Sequence, residues 1–507
     1  MKTFRRNQNK SGRGKMKSIR FCLFVGTPAL MLSLFFVVFY MICNHEEPLN
    51  LDFTKAKTGD NTPHDHLIHN KPKKKHHVKE HPILKKASPQ KKETQNSDLV
   101  DPKYRIVFST DCSGYQKWQT YLLFYSAYKI QQPGTITRIA SGCTVEQEAI
   151  EREFHSNISR HMSSNFKLHI TPNFSEVIGE NGQDTEDTYA YFNKPFGLLH
   201  WFEYSGEKIK DDDIIILIDP DQVLTRPITH DFSKQTGNSL IGDNPRTIVE
   251  HGSPFAQMYQ LGALWQNFDE EKITGTKESP AKNVTRKDAL AHYQVGPPYL
   301  ATARDMHLIA RKWSEFVPRT YEQYPDLLAE MYAFCIAAAH LKMPHQLVRL
   351  MVSNVDVGED ESGGEGWDLV QAIDDEDICS PTVMVDYTLP PVLHYCNKYK
   401  LGKHIFGKHR IPTDILSCES PLLFLPAQDI AKKYDYYIPP LGTDSQREKL
   451  DDYEVKENAF MLCALTRLVN EASLFYHSKN CEIPKDPEVV LDLWLKKKVL
   501  KNKYVYV

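Results

Sequence analysis

No two cysteines in this chain stand in C-x-x-C spacing, so the usual zinc and redox motifs are excluded. No large excess of charge is present either. The 62 Lys and Arg against 65 Asp and Glu leave a formal net charge of −3, and nothing points to a nucleic-acid partner. No internal repeat in the range of roughly 20–50 residues is visible, which argues against solenoids and propellers. Only one stretch of the 507 residues is apolar for long enough to cross a bilayer.

That stretch is Phe21 to Cys43, without a single charge. It is too long for the apolar core of a cleaved signal peptide and ends in Tyr-Met-Ile-Cys rather than small residues. Residues 1–20 are basic and contain no acid, which predicts a cytoplasmic tail and a single-pass type II signal anchor at 21–43. The rest is then expected in the lumen or outside the cell. Residues 44–100 are polar, rich in Lys, His and Pro, and read as a disordered stem rather than a loose metal-binding tract. Eight cysteines follow the span, enough for four disulfides in an oxidising compartment, and proximity suggests Cys463 with Cys481. Asn157, Asn173 and Asn283 open N-glycosylation sequons.

The most informative stretch is "DDDIIILIDPDQVL", 211–224. Asp213 to Ile218 is short, β-branched and bounded by acids, which predicts a buried, central, parallel strand. Pro220 has no N–H to give a ladder, so pairing should stop there. Asp219 and Asp221 then lie just past the strand's carboxyl end, where open α/β sheets bind ligands. Two carboxylates converging there suit Mn²⁺ or Mg²⁺, whose remaining positions are commonly filled by substrate phosphates. The other reading is a polar strand end that caps a turn. Asp211/Asp213 and Asp375/Asp377 share the spacing but look like solvated acidic runs.

Around this stretch the pattern runs strand, helix, strand, strand, helix, strand. The segments are "YRIVFSTD" at 104–111, "YQKWQTYLLFYSAYKIQ" at 115–131, "QPGTITRIAS", "NFKLHITPNF", "NKPFGLLHWFEYS" at 193–205 and the Asp-Pro-Asp strand. This is an α/β domain with a mostly parallel sheet, bounded at about 101–430. Residues 225–300 read as loop-rich and 355–380 as an exposed acidic loop. Residues 431–507 read as a helical extension, with "ENAFMLCALTRLVNEASLFYH" and "PEVVLDLWLKK" as helices.

"IVFSTDCSGYQKWQTYLLFYSAYKIQQPGTITRI", "NKPFGLLHW", "IIILIDPDQVLTRPI" and "PVLHYC" occur in this order. Together they resemble the peptidyl serine alpha-galactosyltransferases and the related hydroxyproline O-arabinosyltransferases, well over 104–230 and loosely over 290–425. The resemblance implies a type A glycosyltransferase fold, Rossmann-like, in a luminal domain behind one transmembrane helix. It implies Golgi or ER residence, with Golgi favoured because "KYVYV" is no retrieval signal. The activity implied is transfer of a sugar from a UDP-sugar to Ser or hydroxyproline hydroxyls on a protein acceptor.

Carried over residue by residue, Asp219 and Asp221 match the metal-holding Asp-x-Asp, and His394 stands where a third metal ligand is expected. Thr110 and Asp111 match the nucleoside pocket, and Asn193 and Lys194 the Asn-(Lys/Arg)-Pro motif beside the diphosphate. Glu330 matches an acidic residue near sugar or acceptor. Each has a plainer reading: a core histidine for His394, a surface lysine for Lys194, a helix-pairing acid for Glu330. Lys403, Lys408, His409 and Arg410 form a basic cluster that either meets the diphosphate or is a solvated loop. A glycan- or lipid-directed transferase and an inactive sugar-binding protein stay open as alternatives. The spelling Asp-Pro-Asp chooses between neither galactose nor arabinose, and the last ~80 residues match nothing in the resemblance.

Overall fold

The computed structural model describes residues 103–178, 184–234, 239–355, 364–483 and 485–501. The expected tail, anchor and stem lie outside these residues. Among the described residues no helix is long and apolar enough to cross a membrane.

A seven-stranded sheet organises the chain. Its strands are β1 (Tyr104–Asp111), β2 (Thr135–Ser141), β3 (Phe166–Thr171), β4 (Ile214–Ile218), β6 (Phe255–Met258), β7 (Val295–Thr302) and β8 (Gln346–Val348), in the order β3-β2-β1-β4-β7-β6-β8. The pairs β1/β2, β2/β3, β1/β4 and β6/β8 are parallel. Only β7 runs against its neighbours β4 and β6. A mostly parallel sheet must bury both faces, and β4 shows how. Ile214, Ile216 and Ile218 join one apolar cluster, while Ile215 and Leu217 join the other, all at most 2% exposed.

Helices α1 (Gly114–Lys129) and α2 (Val145–His161) supply the first cluster. Helices α3 (Asn193–Tyr204), α4 (Ala303–Gln323) and α5 (Ala329–His340) supply the second. Gly197 lets α3 approach the sheet, since a Cβ there would lie 3.0 Å from Ile139 Cγ2. That close approach matters because α3 opens with Lys194. A second, three-stranded sheet, β9 (Met351–Val352), β10 (Val392–His394) and β5 (Gln222–Leu224), stands beyond the turn that follows β4.

Several expectations are corrected. Asp213 is not solvated: it is buried, and its carboxylate accepts from Arg105 Nε at 2.7 Å. Residues 364–380 are not simply an exposed loop, because Trp367, Val370, Ile373, Ile378 and Cys379 are buried in the first cluster. The segment "PEVVLDLWLKK" is no helix. Val489–Asp492 and Lys497–Leu500 pair as an antiparallel hairpin, and the first strand adds to Leu422–Leu423. The Asp492 carboxylate accepts from the backbone N–H groups of Trp494 and Leu495, which turns the chain where a helix would continue. Among the described residues the disulfides are Cys112–Cys143, Cys379–Cys463 and Cys418–Cys481, not Cys463–Cys481.

Candidate metal centre

Parallel register sets β1 and β4 side by side, with Phe108 opposite Ile218, so their carboxyl ends open on the same side of the sheet. The chain leaves β4 at Asp219 and turns through Pro220 and Asp221 into β5. Gln222, fully buried, holds that turn from three sides. Its Oε1 accepts from Asp219 N–H at 3.1 Å, its Nε2 donates to Pro297 O at 3.1 Å, and its own N–H meets Asp219 O at 3.1 Å. Strand β10 then delivers His394 opposite Gln222, and Tyr395 N–H donates to Asp221 O at 3.0 Å.

The outcome is a tight group. One ligand atom each from Asp219, Asp221 and His394 lie within 4.8 Å of one another. An octahedral Mg²⁺-like ion places its ligand atoms about 2.1 Å from itself, hence roughly 3–4.2 Å from each other. Two carboxylates and one imidazole at this spacing fit such an ion, with positions left for oxygen atoms of a substrate. A second group, Cys418, His477 and Cys481, does not fit a metal, because its two thiols are joined as a disulfide.

The surroundings are charged and buried. Lys194 Nζ lies 2.7 Å from Asp219 Oδ1 and 3.5 Å from Glu330 Oε1, and among the described residues these buried oxygens have no other hydrogen-bond partner. Lys408 Nζ lies 2.8 Å from Asp221 Oδ2, and His394 Nε2 lies 3.3 Å from Asp221 Oδ1. Burial pushes the Asp221 carboxyl up, but Lys408 and His394 outweigh it and hold the group well below the usual carboxylate range. Burial likewise raises Glu330, to about 7, with Lys194 opposing and Asp219 adding to the rise. For Lys194, burial lowers the pKa, but Asp219 and Glu330 overcome it and keep the ammonium charged.

Among the residues singled out in the sequence, Asp219, Asp221, His394, Lys194 and Glu330 come together. Lys194 is only 11% exposed and bridges two acids, so it is no surface lysine. Thr110, Asp111 and Asn193 sit nearby on β1 and α3 in bracing contacts. Thr110 Oγ1 accepts from Arg138 Nε at 2.8 Å, and Asp111 O accepts from Arg138 Nη2 at 3.0 Å. Asn193 Oδ1 accepts from Phe174 N–H at 2.9 Å. The basic cluster divides. Lys408 reaches Asp221, Lys403 lies 3.8 Å from Asp444, His409 stacks on Tyr115 with ring centroids 5.2 Å apart, and Arg410 is buried and donates to Leu493 O at 2.9 Å. Gln222 was missed, although an amide at the third position after the first Asp was there to be read.

Comparison with known proteins adds a name. No family model matches the chain. A peptidyl serine alpha-galactosyltransferase of Arabidopsis thaliana is 34% identical over 134 residues, 25% of this chain and 14% of the relative. One of Chlamydomonas reinhardtii is 22% identical over 323 residues, 60% of this chain and 35% of the relative. By sequence, this chain is similar to the peptidyl serine alpha-galactosyltransferases. The matched regions span well under half the length of either relative. Among solved structures, the galactosyltransferase LgtC with donor and acceptor sugar analogs aligns at a TM-score of 0.31 and 13% identity, covering 58% of this chain and 87% of its own. The bifunctional glycosyltransferase WbbM aligns at 0.29 and 11%, covering 59% and 46%. Neither likeness is close enough to build on.

Proposed function

We propose that this protein is a metal-dependent glycosyltransferase of type A architecture that moves a sugar from a UDP-sugar to Ser or hydroxyproline hydroxyls of a protein. The observation that carries the reading is the convergence of Asp219, Asp221 and His394 at the carboxyl end of the central parallel strands. The name of its two curated relatives, peptidyl serine alpha-galactosyltransferase, supports sugar transfer to a serine-bearing protein.

Asp219, Asp221 and His394 would hold Mn²⁺ or Mg²⁺, which when bound neutralises the diphosphate as it leaves. The chain's own residues do the rest. The Gln222 staple fixes both carboxylates on one turn. Lys194 and Lys408 bring two ammonium groups to the place where phosphate oxygens would lie. Glu330, pushed up to about 7, is suited to accept a proton from an incoming hydroxyl at neutral pH. Thr110 and Asp111, held by Arg138 at the end of β1, form the floor on which the nucleoside would rest.

The apolar run at 21–43 and its basic flank support a type II membrane anchor in the Golgi or ER, with this domain luminal. Three disulfides among the described residues support an oxidising compartment. Asn173 and Asn283 are exposed, as glycosylated sequons require.

The test incubates the full-length protein with a panel of UDP-sugars, Mn²⁺ and a Ser- and hydroxyproline-rich peptide, and reads released UDP and peptide mass. Expected is release from one donor, abolished by chelator and reduced at least about 100-fold in Asp221→Asn. UDP binding without turnover would support a binding protein instead. Turnover only on a glycan or lipid acceptor would move the acceptor class.

A further inference from the structure

We propose that Lys194 and Lys408 stand in for the divalent cation while no diphosphate is present, so that metal and nucleotide enter as a coupled pair. This rests on the metal-site reading above.

Each carboxylate of the pair already has its own ammonium group. Lys194 Nζ is 2.7 Å from Asp219, and Lys408 Nζ is 2.8 Å from Asp221. The two lysines come from separate elements, one from α3 and the other from the short turn Lys408–Arg410. Both side chains are mostly buried, at 11% and 16% exposure. A divalent ion chelated by both carboxylates would bring its charge close to two ammonium groups, each already seated on one oxygen of its carboxylate.

Charge counting gives the consequence. Asp219, Asp221 and Glu330 against Lys194 and Lys408 leave one negative charge, the imidazole aside. A divalent ion alone turns that into one positive charge, in a pocket where unbalanced charge is costly. A nucleotide-sugar diphosphate, carrying about two negative charges, restores the starting value and gives the ammonium groups new partners. The same alternation holds if Glu330 is protonated. Metal alone or diphosphate alone shifts the net charge of this buried site by two units; the two together leave it unchanged. Each must then tighten the other by the same factor.

Mn²⁺ binding to the full-length protein is followed by loss of the free-ion magnetic-resonance signal, with and without UDP. UDP affinity is measured by calorimetry, with and without Mn²⁺. In the wild type, UDP should tighten Mn²⁺ by about tenfold or more, and Mn²⁺ should tighten UDP equally. Lys408→Met should bind Mn²⁺ alone at least about fivefold tighter than the wild type, with a smaller gain on adding UDP. Mn²⁺ binding in Lys408→Met and Lys408→Gln that is no tighter than wild type would overturn the proposal. So would an absence of coupling in the wild type, which needs no variant. Should Lys408→Met fail to fold, Lys194→Met reads the same quantity at the other carboxylate. Asp221→Asn separates the two levels. If it binds Mn²⁺ like the wild type, the metal site itself is wrong. If it loses Mn²⁺ while the lysine variants bind no tighter, only the coupling is wrong.

Discussion

Gln222 carries more of the site than its neutral side chain suggests. It spans from Asp219 N–H to Pro297 O, tying the turn after β4 to β7. Gln222→Ala would leave the half-buried Asp219 N–H and the buried Pro297 carbonyl without this partner, and a cavity beside Met351. The expected cost is about 2–4 kcal/mol, read from urea unfolding, and Mn²⁺ affinity should fall because the two carboxylates lose their common frame. A variant as stable as the wild type would show that the turn holds itself. Asp219 and Asp221 can be picked out from the sequence because the chemistry is local: a β-branched run, a proline that stops pairing, and an acid on each side of that proline. Gln222 and Lys408 could not be weighed in that way. Their partners Pro297 and Asp221 lie 75 and 187 residues away, and no spacing rule links them. His394 was found through family likeness alone, since nothing in its own neighbourhood says that β10 lies against β5.

Helix α6 (Asp452–Asn480) shows what is gained and lost at the scale of an element. Its start was written in the sequence, as Asp451 and Glu454 form a reciprocal capping box. Helix α2 carries the same signal in Thr144 and Gln147, yet its polar surface hid it, with only Glu151, Phe154 and Ile158 buried. The hairpin at 489–500 differs from the expected helix because an apolar run with charged ends suits helix and strand alike, and its pairing with Leu422–Leu423 decides. On α6 itself, Glu457 is 6% exposed and accepts from Gln371 Nε2 at 3.1 Å. Burial pushes its carboxyl from the ordinary 4.5 up to about 8, although Gln371 opposes the rise. The folded protein therefore holds a proton that the unfolded chain releases near pH 4.5. Stability from this group is complete below that pH and drains away as pH rises to about 8. Glu457→Gln keeps the shape and removes the titration. It should match the wild type at pH 4.5 and exceed it by roughly 1–3 kcal/mol at pH 8, seen in paired thermal melts. Equal melting differences at both pH values would mean that the carboxyl is hydrated.

At the scale of the whole molecule, the C-terminal segment is part of the same core as the sheet rather than an appendage. Phe460, Leu462, Leu465 and Leu468 of α6 share an apolar cluster with Ile106 and Phe108 of β1 and with Leu123 of α1. Asn458 Oδ1 accepts from Lys400 N–H at 2.7 Å, joining α6 to the strand Tyr399–Leu401 that follows His394. Two of the three disulfides end on or next to this helix: Cys379–Cys463 closes 84 residues and Cys418–Cys481 closes 63, against 31 for Cys112–Cys143. A crosslink stabilises chiefly by restricting the unfolded chain, and the restriction grows slowly with loop length. Replacing Cys379 and Cys463 together by Ala should therefore cost about 4 kcal/mol, and replacing Cys112 and Cys143 about 1 kcal/mol less, both read from urea midpoints. The two pairs should differ in a second way. Cys112 follows Asp111 at the end of β1, so its loss should loosen that strand end, where the nucleoside is proposed to rest. Cys379–Cys463 lies in the interior and should change stability while leaving Mn²⁺ affinity near the wild-type value. A large drop in metal affinity on losing Cys379–Cys463 would mean that α6 holds the site in shape through β10 and the strand that follows it, and that the two halves of the chain cannot be separated without losing the centre.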